Sequence, residues 1–75
     1  MITKEELYKI EEDSKQNFIE ARRYEIESAI KYASKSQERI CEVRYHPLLD
    51  SYFAELCKNG FKIELRTLDK ITLSW

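Results

Sequence analysis

Between Thr3 and Pro47 the chain carries neither glycine nor proline. That gap constrains the fold more than any other feature, because these two residues are the usual punctuation of a helix. Thr3-Lys4-Glu5-Glu6 opens the segment as a capping box: the Thr3 hydroxyl can accept the Glu6 amide, and the Glu6 carboxylate can reach back to Thr3. Ile2 and Leu7 flank the cap where a hydrophobic staple forms. The pattern predicts a helix over about 3–35, a rod of about 48 Å at 1.5 Å per residue. A compact chain of 75 residues has a radius of gyration near ~11 Å and a diameter of roughly 30 Å. Such a helix overhangs its own globule, and a second copy of the chain is the expected cover. The weak stretch is Asp13-Ser14-Lys15-Gln16-Asn17, where Asp, Ser and Asn side chains compete for backbone hydrogen bonds. Either the helix runs through it, or it bends there and one chain covers its own stripe.

Leu7, Phe18 and Ala29 recur eleven residues apart, as do Ile10, Ala21 and Tyr32, and Ser14, Ile26, Ile30 and Ala33 widen the stripe. An eleven-residue period is about 3.67 residues per turn, close to a straight helix and unlike a left-handed heptad coil. Ser34-Lys35-Ser36-Gln37 forms a polar connection. From Arg39 to Tyr45 the chain alternates, with Cys41, Val43 and Tyr45 facing one way and Glu42 and Arg44 the other, as a half-buried strand does. Pro47 suits the first position of a second helix, whose apolar face is Leu49, Tyr52, Phe53 and Leu56. Asn59-Gly60 closes that helix, with Gly60 as the left-handed residue and Phe61 as the accompanying apolar contact. Two more alternating runs follow. Phe61, Ile63 and Leu65 face inward against Lys62, Glu64 and Arg66; Ile71, Leu73 and Trp75 face inward against Lys70, Thr72 and Ser74. Leu68-Asp69 turns the hairpin between them.

These elements predict an α+β fold in one domain, residues 1–75, with a long helix about 3–35 and a strand–helix–hairpin unit about 39–75. The order is helix, strand, helix, strand, strand. A right-handed crossover makes the first two strands parallel, and the last adds antiparallel. The expectation is a three-stranded mixed sheet under helices on one face, a two-layer α/β sandwich.

Thirteen basic and fourteen acidic residues leave a net charge of −1, which argues against a general nucleic-acid binder. Acids concentrate in residues 4–13, where they complement the helix dipole or form an acidic docking surface. No apolar run approaches the ~20 residues of a membrane span. Two cysteines without a leader-like start point to a reducing cytoplasm. Cys41 and Cys57 read as small buried hydrophobes rather than a disulfide. One histidine and no CxxC pair give no zinc site and no cofactor. A core this small gains from an extra support, and oligomerisation is the one left.

Arg44, Lys62, Arg66 and Lys70 gather on the polar sheet face with Glu42 and Glu64. They either pair across strands or hold phosphates, with Tyr45, His46 and Trp75 as rings for stacking at the strand ends. Arg22 and Arg23 offer a second anion candidate. Arg22 sits at the edge of the stripe, where its stem packs and its head reaches outward; its alternative is pairing with glutamates. His46 has no nucleophile nearby in sequence, so no catalytic residue is expected. Trp75 either closes one end of the core or anchors a partner. The candidate ligand-binding residues are therefore Arg22, Arg23, Arg44, His46, Lys62 and Arg66.

A charged helix-first chain, a helix ending Asn59-Gly60-Phe61 and a terminal strand Ile71-Thr72-Leu73-Ser74-Trp75 resemble a group of small tailed-bacteriophage proteins. The likeness spans most of the chain, and its motifs are structural. Small phage proteins of this style include inhibitors of bacterial immunity, some of them oligomeric sponges for cyclic nucleotide signals and others direct blockers of a host protein. The resemblance implies a non-enzymatic, homo-oligomeric anti-defence protein of the host cytoplasm, sequestering a cyclic or phosphorylated nucleotide. The alternatives are a protein inhibitor of a host enzyme and a minor virion or assembly component.

Overall fold

The computed structural model describes residues 1–75. The first helix, α1 (Lys4–Lys35), runs unbroken through the weak stretch. At its start the Thr3 hydroxyl accepts the Glu6 amide at 3.2 Å. At its end, without any glycine, Gln37 takes the left-handed conformation at φ 62°. The Glu38 amide returns to the Ala33 carbonyl at 2.9 Å and the Gln37 amide to Ser34 at 3.0 Å, the double bond of a Schellman cap.

The strands are β1 (Ile40–Arg44), β2 (Lys62–Arg66) and β3 (Lys70–Ser74); between β1 and β2 lie a 3-10 turn (Pro47–Leu49) and the second helix, α2 (Asp50–Lys58). The expected element order holds, and α2 closes as expected. Gly60 has φ 98°, and the Phe61 amide bonds to the Leu56 carbonyl at 3.1 Å.

The sheet departs from the mixed sheet expected. Its order is β1-β3-β2, and both pairings are antiparallel. After the hairpin β3 does not extend the outer edge; it inserts between the two crossover strands, which run parallel without touching. Ile71 and Leu73, the inward residues of β3, thereby sit at the sheet centre at 1 % and 0 % exposure. The central place goes to the strand whose alternation is cleanest.

A second departure lies in β2. Ile63 pairs with Leu73 but Leu65 pairs with Thr72 and Arg66 with Ile71, a register shift between Ile63 and Leu65. One extra residue in a strand reverses every side chain beyond it. Leu65, expected inward, therefore lies on the outer face at 60 % exposure. Arg66, expected outward, comes to the face that carries Ile71.

The core holds Ile26 of α1, Val43, Leu49, Tyr52, Phe53, Leu56, Ile71 and Leu73, with both helices on one sheet face. Trp75 is half-buried, its ring 5.7 Å from that of Phe61, so it closes one end of the sheet. Cys41 is half-buried, but Cys57 is exposed, contrary to its reading as a buried hydrophobe; it falls beside the α2 face rather than on it. The molecule measures 54 × 21 × 21 Å with a radius of gyration of 15.3 Å, well above the ~11 Å of a compact chain. Residues 1–17 are all exposed, and burial along α1 begins at Phe18.

Candidate ligand cleft between the long helix and the sheet end

Glu25 sits one helical turn beyond Arg22 on α1, and β1 ends at Arg44 directly below. Glu25 receives three hydrogen bonds: from Arg22 Nη1 at 2.9 Å, Arg44 Nε at 2.9 Å and Arg44 Nη2 at 2.8 Å. Arg44 thus grips the carboxylate as a fork, the geometry that makes guanidinium selective for carboxylate and phosphate. The Arg44 hydrogen bond, helped by Arg22, holds the Glu25 carboxyl below its ordinary value, and Glu25 in turn raises Arg44.

Arg22 is steadied by packing. Its guanidinium carbon lies 5.1 Å from the Phe18 ring centroid. The His46 ring meets Phe18 edge-on at 4.8 Å. His46 Nδ1 accepts the Leu48 amide at 3.1 Å, which assigns the neutral ring's proton to Nε2. Lys70, opposite Arg44 in the strand register, pairs with Glu42 at 3.3 Å. Together Arg22, Arg44, His46, Asp69 and Lys70 wall a cavity of about 210 Å³ over Phe18, Tyr45 and Leu49.

Of the six residues singled out in the sequence, the fold brings together Arg22, Arg44 and His46. The other three go elsewhere. Arg23 lies over the Tyr52 ring, 4.9 Å from its centroid, in the groove between α1 and α2. Arg66, turned inward by the bulge, stacks on the Tyr45 ring at 4.6 Å and donates to the Tyr45 hydroxyl at 2.6 Å. That hydroxyl donates to Asp50 at 2.6 Å, and the Asp50 contact raises the Tyr45 phenol. Lys62 stays on the outer face opposite Ser74. Three charged residues of the site were not among the six: Lys70, noted only as part of the polar face, Asp69, read only as a turn residue, and Glu25, whose i, i+3 spacing from Arg22 was its signal.

Chemically, the cleft can hold an anion between two guanidiniums. No serine, threonine or cysteine lines it. No cluster of three His, Cys, Asp or Glu side chains with metal-binding spacing occurs in the fold, and no helix is long and apolar enough to cross a membrane. No protein-family model matches the chain, and neither a curated protein nor a solved structure is detectably similar to it.

Proposed function

We propose that this chain is a non-enzymatic binding protein that assembles through α1 and takes a phosphorylated ligand in the Arg22–Arg44 cleft. In a phage-infected cell that ligand would be a cyclic nucleotide signal, and its capture would be counter-defence. One observation carries the reading: two arginines from separate elements converge on a single carboxylate, beside His46 and Lys70. Glu25 fills the anion seat, but exposed ion pairs are worth only about 0–1 kcal/mol. A phosphate, with more charge and more acceptor oxygens, can displace it. The cavity, about 210 Å³, is below the ~300–1,000 Å³ of a typical small-molecule pocket. It accommodates a phosphate group and leaves the remainder of a nucleotide to the surrounding surface or to a second copy.

Isothermal titration against inorganic phosphate, pyrophosphate, cyclic di- and trinucleotides and cyclic ADP-ribose isomers tests this. The expected result is binding that Arg44→Ala weakens at least about tenfold, the loss of a charge-assisted fork, and that Glu25→Gln strengthens by vacating the seat. Absence of heat with every ligand, for both the native chain and Glu25→Gln, would end this reading. A second reading rests on Leu7, Tyr8 and Ile10, exposed at 47–64 % among the acids of the helix start. In it, that segment binds a basic host protein.

A further inference from the structure

The fold separates two faces of α1 that merge when the sequence is read alone. Phe18, Ile19, Ile26, Ala29, Ile30 and Ala33 turn toward the body. About 130° round the helix, at 100° per residue, runs a second row: Leu7, Ile10, Ser14, Asn17, Ala21, Tyr24 and Ser28. Each of these seven is exposed, with Tyr24 at 74 %. Fifteen of the 32 residues in α1 are charged, yet none of the seven is. Their alternating spacing of three and four is that of a helix–helix seam.

We infer that this row is the interface with a second copy of the chain, the two α1 helices lying antiparallel with Asn17 near the two-fold axis. The inference rests on the proposed assembly through α1 and adds its face and direction. Three observations select the occupant. First, the free part of α1, residues 4–17, matches in length the body-backed residues 18–31, about 21 Å each. Antiparallel pairing lets each overhang cover the other copy's exposed face. Second, residues 4–13 hold five acids and two bases, and the residues they would face, 22–31, hold three bases and two acids. Antiparallel pairing sets a −3 segment against a +1 segment, whereas parallel pairing sets −3 against −3. Third, the sizes complement one another: Leu7 falls against Ser28, Ile10 beside Tyr24, and Ser14 against Ala21, where small side chains permit close approach.

Contact over residues 7–28 runs for about 33 Å, and a third of the circumference of each rod, about 10 Å wide, gives roughly 700 Å² in all. That is below the ~1,000 Å² of a standard interface, so the pairing is of the weak, concentration-dependent kind. A straight helix drifts from a heptad by about 20° per repeat, which a seam of three repeats absorbs by crossing at about 20°. Acids border the seam on both sides and oppose the pairing: Glu6, Asp13, Glu20 and Glu27 on one, Glu11 and Glu25 on the other. Of these, Glu25 is already paired with Arg22 and Arg44; Glu20→Lys should therefore tighten the dimer.

Light scattering should give twice the 9.1 kDa chain mass, and Ala21→Glu should halve it while the circular dichroism stays native. Direction is read with Cys57 replaced by Ser and a short bis-maleimide cross-linker. Asn17→Cys should cross-link to itself, and Leu7→Cys should cross-link with Ser28→Cys but not with another Leu7→Cys chain. Self-cross-linking of Leu7→Cys would overturn the antiparallel direction and leave the assembly itself standing. A single-chain mass at the highest soluble concentration would overturn both, while phosphate titration of the cleft would remain an independent measurement.

Discussion

The two halves of α1 share one helix and live in different solvents. Residues 18–35 are held by tertiary contacts: Ile26 is 2 % exposed and Ala33 4 %, and Ile26 belongs to the core that carries Val43, Ile71 and Leu73 of the sheet. Residues 4–17 are all exposed and none joins the core. An isolated helix shorter than about 12–15 residues is marginal in water, so the free half depends on its Thr3 cap, on the early acids that suit the helix dipole, and on being an extension of a nucleated helix. Helix formation and helix support are thus separate properties here. The first comes from local sequence along all of α1; the second reaches only half of it.

The sharpest way to break that comparison is to truncate matched isoleucines. Ile26→Ala should lower the unfolding free energy by about 2–4 kcal/mol, the price of a buried cavity and a large share of a small domain's total. Ile10→Ala, measured by urea denaturation in dilute protein, should change it by no more than about 0.5 kcal/mol. Equal losses would mean that the free half is packed after all.

The two helix ends offer a smaller contrast. Thr3→Ala removes a cap from the unsupported end and should cost about 1 kcal/mol of local helix stability, seen as faster hydrogen exchange over the first turns with little change in global unfolding. Gln37→Gly acts at the supported end. Gln37 holds φ 62°, a conformation costing a residue with a Cβ roughly 1 kcal/mol. Glycine should therefore raise global stability by about 0.5–1 kcal/mol.

The smallest effect is read by pH. Burial, with Glu27 beside it, pushes the Tyr52 phenol from 10.0 up to about 12. Its proton is retained in the folded chain after the unfolded chain has lost it. That stabilisation is complete below pH 10 and declines between about pH 10 and 12. Phenolate absorbance should show one of the five tyrosines titrating last, and Tyr52→Phe should remove that late phase.

Much of the fold was legible in residues alone. The Thr3 cap, the Leu49–Tyr52–Phe53–Leu56 face and the Asn59-Gly60 stop are local signals, and each has its expected place, although the Glu6 carboxylate does not complete the capping box. The central position of β3 was not legible, because hairpin connectivity is satisfied whether β3 adds outside β2 or between β2 and β1. The bulge was hidden too: Lys62 to Arg66 alternate without interruption, and the shift appears only against β3. Half of the cleft was legible for a similar reason. Arg22 and Glu25 are neighbours on one helix, but Arg44 reaches them across nineteen residues, and Arg66 left the polar face only because the register moved.

What the sequence determined by itself are the elements and their ends, since capping, turn residues and apolar periodicity act within a few residues of chain. Tertiary structure decided strand order, register and which face of α1 meets the body. Those depend on which apolar surfaces find each other, a competition settled only when Ile26, Ile71 and Leu73 are buried together. The same competition leaves the Leu7–Ser28 row facing solvent, with room for a second helix.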